Sequence, residues 1–281
     1  MNNYFNFRDF EIFKIGSQST ILKASDSKGR LFAIKIYKKS SSPLLSSPLK
    51  GSHLKEKAFL IDLQGIRGVP RYFWGDFDTE IARFAIVEEL TGHDLEYYFN
   101  KFKKFSLSTS LKIALQLFKI LRGIHERGVI HRNLKPANLA LSRNGKDIIL
   151  LDFGLSRRIK RKNKEKKEEK RQMKFVGDLK FCGLNAHSFK NDTKVDDLIS
   201  LGILIIYFLQ GSLDWNYRDD SNFSSSVEKI WFKKVNFFSQ NIPTLYPFFY
   251  PYFKYLFSVQ HDSINYDYLL NVIENWAKVE Q

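Results

Sequence analysis

The sequence has a single cysteine and no apolar stretch long enough to cross a membrane, and each absence excludes a class of protein. Because Cys182 is the only cysteine, an intramolecular disulfide is impossible and a reducing compartment is expected. The longest apolar run is LISLGILIIYFLQ; at about a dozen residues it is too short for a bilayer and predicts a buried core helix. The N-terminus has no basic region followed by an apolar run, so no signal peptide is predicted. We therefore expect a soluble intracellular protein, cytoplasmic or nuclear or both, without membrane association.

Aromatic residues are abundant. The 281 residues are 43% hydrophobic and include 26 Phe and 13 Tyr. Each aromatic ring buries a large area, so this composition supports a large core, either in one domain or in two closely packed lobes.

Positive charge is concentrated in one segment. The formal net charge is +15, and residues 157–174 hold 11 basic and 3 acidic side chains, a local net of +8. This segment is either a solvated loop or a site for an acidic peptide, a phosphopeptide or nucleic acid. A nuclear-import signal is compatible with both interpretations.

The order of patterns predicts a strand-rich front and a helical back. Strands are predicted in FEIFKIG, STILKAS, LFAIKIY, RYFWGDF and ARFAIVEEL, with a turn at DSKG and a short strand pair in DIILLDFG. Helices are predicted in HLKEKAFLIDLQG, in residues 106–128, and through most of the chain after residue 190. The Ser/Pro-rich residues 39–52 predict an irregular connection.

Four residues have side chains suited to holding a nucleotide and its metal. Lys35 lies near the end of a predicted strand, where its ammonium can meet phosphate oxygens, and Glu56 on the next helix is a plausible ion partner. Asn138 and, 14 residues later, Asp152 supply an amide oxygen and a carboxylate, which are hard ligands suited to Mg²⁺. Each signal is weak by itself, but their order and spacing together are specific.

With these motifs the sequence resembles the eukaryotic protein kinases, and more closely the group of casein kinase 1, the tau-tubulin kinases and the vaccinia-related kinases. The segments that carry the closer resemblance are EKAFLIDLQGIRGVP, LTGHDLE, the region from GDLKFCGLNAH to LQGSLDW, YPFFYPYFKYLF and NYDYLL. The resemblance covers almost the whole chain.

The resemblance implies a bilobal α+β fold in one kinase-like domain, residues 1–281, with a β-rich N-lobe at about 1–90 and a helical C-lobe at about 91–281. It implies ATP and Mg²⁺ as cofactors and acidic or phosphorylated proteins as substrates or partners. It places Lys135 at the transferred phosphate. The nucleotide-binding positions that it implies are Ile15, Gly16, Ala33, Lys35, Glu56, Glu89, Leu90, Asn138 and Asp152.

The glycine-rich loop departs from the family pattern. Gly16 is kept, but Gln18 fills the second glycine position and the loop is about two residues short. Side chains obstruct the close approach of backbone N–H groups to phosphates, so weakened ATP affinity is expected. Glu88 lies near the gatekeeper position, where the family usually has an apolar residue.

Asn133 is the sharper departure, because the family has an aspartate there that accepts the proton of the substrate hydroxyl. A neutral amide cannot accept it, and the loss of general-base catalysis is worth about 10²–10⁴-fold in rate. Positioning and metal binding are expected to survive.

Asp178 occupies a position where Ser/Thr kinases of this type usually have threonine. The carboxylate is thus expected to have moved from the loop to the opposing segment. Two neighbouring aspartates would repel each other, so the neutral Asn133 is what makes Asp178 tolerable. One hypothesis is that Asp178 pairs with Lys135 and partly replaces the base; the other is relaxed selection in an inactive protein.

Phosphorylation of the activation segment is not expected to regulate this chain, because Ser156 is the only hydroxyl side chain between Asp152 and Gly177. Three functions remain open: a pseudokinase that binds a partner, a slow Ser/Thr protein kinase, and, more distantly, a nucleic-acid-binding protein acting through residues 157–174. The basic run lacks the interleaved aromatic residues that single-strand stacking needs.

Overall fold

The computed structural model describes residues 7–38, 51–79, 81, 83–159, 175–187, 193–215, 223–259 and 263–276. The strands are β1 Arg8–Ile15, β2 Ser19–Ser25, β3 Leu31–Tyr37, β4 Tyr72–Asp78, β5 Arg83–Glu89, β6 Val129–Ile130, β7 Leu139–Leu141, β8 Ile148–Leu150 and β9 Arg157–Arg158. The helices are α1 Ser52–Asp62, α2 Leu95–Phe102, α3 Leu107–Glu126, α4 Leu184–His187, α5 Lys194–Gln210, α6 Phe223–Asn236, α7 Ile242–Leu245, α8 Tyr250–Ser258 and α9 Tyr266–Trp276.

The chain divides into two compact units. The first comprises the residues up to His93 together with Ala140–Leu155, and the second comprises Asp94–Leu139 and the residues from Ser156 onward. The first unit is rich in strands and the second in helices, so the predicted α+β class is confirmed. Ala140–Leu155 groups with the first unit although it lies far along the chain.

The first unit contains a five-stranded antiparallel sheet in the order β1-β2-β3-β5-β4. β2 and β3 pair without a break from Ser19 opposite Tyr37 to Ser25 opposite Leu31. The turn between them is stabilised by the Asp26 carboxylate, which accepts hydrogen bonds from the backbone N–H groups of Lys28 and Arg30. The predicted strand–turn–strand pattern is thereby confirmed.

Alternation along β3 and β5 sends side chains to two different faces of the sheet. Phe32 and Ile34 of β3 and Ala85 and Val87 of β5 belong to one buried apolar cluster. Since successive side chains in a strand point to opposite faces, the residues between them, including Lys35, face the other side. This second face carries the charged residues of the first unit described below.

Capping residues set the ends of the two long helices of the second unit. The Ser106 hydroxyl accepts a hydrogen bond from the backbone N–H of Thr109 at the start of α3, and Thr193 and Asp196 form a capping box at the start of α5. Residues Leu198–Ile206 of α5 are buried throughout, which confirms the predicted core helix. None of the helices in the described ranges is both long and apolar enough to pass through a membrane.

Two local predictions need correction. DIILLDFG holds one strand, β8, followed by a 3-10 turn at Phe153–Leu155, and the partner of β8 is β7. A three-residue strand is too short for its pattern to show where it pairs. Helix α2 was not predicted, although Asp94 was a signal for it: its side chain accepts a hydrogen bond from the backbone N–H of Tyr97, as N-cap residues do. Residues 39–50 of the predicted connection 39–52, and residues 160–174 of the basic segment 157–174, lie outside the described residues.

Candidate functional site

A buried ion pair joins β3 to α1 in the first unit. Lys35 Nζ donates hydrogen bonds to both carboxylate oxygens of Glu56, at 2.7 and 2.8 Å, and the two residues are 8% and 1% exposed. Burial by itself lowers the pKa of Lys35, but the negative charges of Glu56, Asp152 and Glu88 more than offset it and raise that pKa. The ammonium is therefore firmly charged, and the predicted ion pair is present.

Tyr37 completes the surroundings of the Glu56 carboxylate. Tyr37 lies two residues after Lys35 on the same face of β3, and its hydroxyl donates a hydrogen bond to Glu56 Oε2. Burial and the charge of Glu56 raise the pKa of Tyr37 well above its ordinary value, so the phenol remains a donor. Glu56 is thus held by two donors from one strand, which fixes the position of α1 against β3.

Asp152 brings a second carboxylate to Lys35. Its Oδ1 lies 3.4 Å from Lys35 Nζ, and its side chain is 35% exposed. Its backbone has φ +65°, a left-handed conformation that costs a non-glycine residue about 1–3 kcal/mol and that is concentrated at functional sites. Phe153, directly after it, is fully buried. The Phe153 side chain is therefore buried in the core, whereas the Asp152 side chain is turned toward Lys35.

The other predicted nucleotide-binding residues of the first unit lie in or next to strands β1, β3 and β5. Ala33 and Leu90 are buried, whereas Glu89 is exposed and accepts a hydrogen bond from the backbone N–H of Arg71. Ile15 is 67% exposed at the end of β1.

The loop between β1 and β2 is closed tightly. Only three residues separate the two strands, the Gly16 N–H donates to the Ser19 carbonyl at 2.8 Å, and Lys38 Nζ donates to the Gly16 carbonyl at 2.6 Å. The short loop therefore uses a backbone donor internally that a glycine-rich loop would turn toward phosphate.

In the second unit, the loop after β6 is organised by one buried aspartate. Asp197 of α5, 2% exposed, accepts hydrogen bonds from the backbone N–H groups of His131 at 2.7 Å and Arg132 at 2.8 Å. The ring of His125 bonds to the same carboxylate at 3.0 Å. Burial alone would raise the pKa of Asp197, but these hydrogen bonds lower it below its ordinary value. A fully charged aspartate thus holds the backbone directly before Asn133.

Sequence reasoning missed the role of Asp197, although a signal was present. Two adjacent aspartates precede the apolar helix, and capping of α5 uses only Asp196. The second carboxylate, at the start of a buried helix, therefore had to have another partner.

Asn133 and Asn138 contact each other within this loop. Asn138 Nδ2 donates to the Asn133 carbonyl at 2.8 Å, and both residues are 6% exposed. Within the described part of the chain, neither the Asn133 side-chain amide nor the Asn138 amide oxygen forms a hydrogen bond. The oxygen of Asn138 is therefore available as a hard ligand, as a magnesium site would need. Lys135 is half-buried in the same loop.

The segment 175–187 passes directly beside this loop. Gly177 has φ +104°, and a Cβ atom at this position would lie 2.5 Å from the Arg132 carbonyl oxygen, so only glycine fits there. Asp178 follows, and its Oδ1 accepts a hydrogen bond from the backbone N–H of Lys180 at 2.9 Å. Among the described residues no ion pair joins Asp178 to Lys135. The structure thus brings the backbone of Asp178 near the Asn133 loop, with its carboxylate bonded within its own turn.

Lys234 of α6, fully buried, anchors the end of the same segment. Its ammonium donates to the carbonyls of Leu179 and Cys182, each at 2.7 Å, and lies 3.2 Å from His187 Nε2. The other ring nitrogen of His187 bonds to the Val227 carbonyl at 3.1 Å. Nε2 must therefore be the acceptor and Nδ1 the protonated nitrogen, so His187 is neutral. The sequence showed the LNAH segment but not its lysine partner, which lies 47 residues later.

No cluster of three or more His, Cys, Asp or Glu residues suited to a metal occurs in the ranges that the structure describes. The two predicted magnesium ligands belong to different units, Asp152 to the first and Asn138 to the second.

Among models of protein families, the model of the protein kinase domain matches residues 9–256. This range covers most of both units and all the predicted site residues.

Proposed function

The chain belongs to the protein kinase domain family, and we propose that this member is a casein kinase 1-like Ser/Thr kinase fold that binds Mg-ATP but transfers phosphate poorly. It works mainly as a pseudokinase, by binding a protein partner. The observation that carries this proposal is the contrast between an intact Lys35–Glu56 pair beside Asp152 and an amide at position 133.

The nucleotide half of the proposal is supported by charge and exposure. Lys35 is held by Glu56 and lies beside the partly exposed carboxylate of Asp152, so it meets phosphate oxygens without losing its position. When bound, Mg²⁺ would neutralise phosphate charge and would be held by Asp152 and the amide oxygen of Asn138. The tight Gly16 loop lowers the expected affinity.

The catalytic half is supported by the chemistry of Asn133. Its loop is held by Asp197 in a defined conformation, but its amide oxygen cannot accept a proton from a substrate hydroxyl. The expected loss is about 10²–10⁴-fold, or about 3–5 kcal/mol of barrier. Lys135, in the same loop, keeps its proposed role at the transferred phosphate.

A second candidate function, slow Ser/Thr phosphoryl transfer to acidic or phosphorylated proteins, is favoured by the position of Asp178. Its backbone follows Gly177, which packs on the Arg132 carbonyl, so a rotation of its side chain would bring a carboxylate toward the Asn133 loop. In this proposal Asp178 is the substitute base.

Two measurements test these proposals. Calorimetry with Mg-ATP should show binding that is lost in Lys35→Met and kept in Lys119→Met, a matched change at an exposed lysine of α3. Lack of uptake by the unaltered protein at millimolar nucleotide would contradict the nucleotide half.

Transfer of labelled phosphate to casein separates the two functions. We expect little transfer by the unaltered protein and a gain of about 10²-fold or more in Asn133→Asp. Rapid transfer without that change selects the active kinase. Residual transfer that survives in Asp178→Asn excludes Asp178 as the substitute base.

A further inference from the structure

The first turn of α9 packs on the second half of α3. The centroid of the Tyr266 ring lies 6.0 Å from those of the Phe118 and His125 rings. Next to Tyr266, Asp267 accepts a hydrogen bond from Arg122 Nη1 at 2.7 Å. Tyr266 is half-buried, so its ring is placed by α3 and its hydroxyl reaches a buried side chain.

That side chain is His125, which is 1% exposed and has a partner at each ring nitrogen. Nδ1 lies 2.7 Å from the Tyr266 hydroxyl oxygen, and Nε2 lies 3.0 Å from Asp197 Oδ2. The Asp197 carboxylate can only accept, so Nε2 carries the proton, and in a neutral imidazole Nδ1 is then the acceptor. Burial, followed by the charges of Asp197 and Glu126, raises the pKa of Tyr266 above its ordinary value, so the phenol keeps its proton and donates it to this bond.

Asp197 extends the contact into a relay that ends in the loop after β6. It accepts hydrogen bonds from the backbone N–H groups of His131 and Arg132, and the Asn133 N–H donates to His131 Nδ1 at 3.3 Å. Arg132 has φ +69°, a left-handed conformation that persists in a non-glycine residue only where its surroundings hold it. The whole relay lies in the second unit, so the orientation of this loop depends on a helix near the end of the described chain.

We propose that Tyr266 is a positioning residue for phosphoryl transfer: its hydroxyl donates to His125 Nδ1, holds the imidazole against Asp197 and thereby fixes the loop that carries position 133. This assignment rests on the proposed function and names a residue on which the geometry of transfer depends. Without the hydroxyl, Nδ1 becomes a buried acceptor without a donor, and the ring loses the contact that fixes its plane. The loop then loses the orientation that transition-state contacts require, whereas Lys35 and Asp152 of the first unit keep their positions.

Amide hydrogen exchange tests the relay without any nucleotide. In Tyr266→Phe, which keeps the ring and removes only the hydroxyl, the His131 and Arg132 amides should exchange about fivefold faster, as the loss of one hydrogen bond predicts. Exchange in α5 and α9 should stay unchanged. Tyr268→Phe, at an exposed position of the same helix, should leave all these rates unaltered. Unchanged rates of the two loop amides in Tyr266→Phe, or an equal rise throughout α5 and α9, would overturn the positioning role.

The protonation of the His125 ring gives a second readout, which needs only the unaltered protein. Proton–nitrogen spectra of labelled histidine rings at neutral pH should show His125 protonated at Nε2 alone. Its signal is identified by nuclear Overhauser contacts with the Tyr266 ring. A ring protonated at Nδ1 would make the Tyr266 hydroxyl an acceptor and would overturn the proposal, even if Tyr266→Phe fails to fold.

Transfer kinetics connect the relay to catalysis. In the Asn133→Asp background, Tyr266→Phe should lower kcat with casein about fivefold and leave KM for casein unchanged, because the relay orients the loop and does not contact the substrate. Tyr268→Phe in the same background should match its parent. Unchanged kinetics, or a change in KM alone, would overturn the role of Tyr266. Absence of transfer by Asn133→Asp would overturn the catalytic half of the proposed function, whereas exchange and ring protonation would still decide whether Tyr266 orients the loop.

Discussion

Acid should destabilise this protein through His187, and the size of the effect follows from the contacts of that residue. In the native state Nε2 of His187 faces the Lys234 ammonium at 3.2 Å, and the other nitrogen bonds to the Val227 carbonyl. Protonation of Nε2 would remove an acceptor from the ammonium and place two positive charges in contact inside the protein. The perturbation is acidification, compared between the unaltered protein and His187→Gln.

The direction and size follow from proton linkage. Burial, followed by the positive charge of Lys234, lowers the pKa of His187 from 6.5 to about 3. Below pH 6.5 the unfolded chain therefore binds a proton at this residue, whereas the folded protein does not. The contribution of His187 to the free energy of unfolding is complete above pH 6.5 and decreases as the pH falls below that value. The slope approaches about 1.4 kcal/mol per pH unit, which gives a loss of about 2 kcal/mol from this residue by about pH 5.

Urea unfolding at several values between about pH 7.5 and 5 measures this loss. Trp215 is a suitable fluorescence probe, because it is 1% exposed and its ring lies 5.8 Å from Lys234 Nζ. In the difference in unfolding free energy between the unaltered protein and His187→Gln, the contributions of the carboxylates cancel, because both proteins have them. That difference should shift by about 2 kcal/mol over this range.

His93→Gln is the matched control, since His93 is exposed. It should lose stability in parallel with the unaltered protein as the pH falls. If His187→Gln does the same, the protonation state and the surroundings assigned to His187 are wrong.

Three further substitutions test the buried contacts by urea unfolding. Lys35→Met leaves the Glu56 charge buried and without its ammonium, and should lower the free energy of unfolding by about 3–5 kcal/mol; a loss under about 1 kcal/mol would contradict the buried pair. Gly177→Ala forces a Cβ atom against the Arg132 carbonyl at positive φ and should cost about 1–3 kcal/mol, whereas neutrality would refute that close approach. Lys234→Met removes the ammonium donor from the Leu179 and Cys182 carbonyls and should cost about 2–5 kcal/mol, with faster proteolysis of 175–187; unchanged cleavage would show that Lys234 does not anchor this segment.

Local pattern was sufficient to predict most of the fold and to select part of the candidate site. Alternating apolar residues located the five strands of the sheet, and capping serine and terminal glycine marked α3, because these signals come from residues close together in the chain. Lys35, Asn138 and Asp152 were recognised by motif and spacing. The very short strands and α2 were less accessible, since a few residues show no clear period.

The remaining site residues depended on partners far along the chain. Asp197 holds the loop at His131 across 66 positions, and Lys234 anchors a segment more than 50 positions before it. In the sequence these residues are an aspartate before an apolar run and a lysine on an amphipathic helix.

The sequence by itself determined the strand and helix pattern, the amide at position 133 and the motif residues that indicate a nucleotide. Only the tertiary structure decided which ionisable groups are buried and what faces them, including the neutral His187 beside Lys234. The physical reason is that periodicity and capping act over a few residues, whereas burial and charge depend on every segment that packs around a side chain.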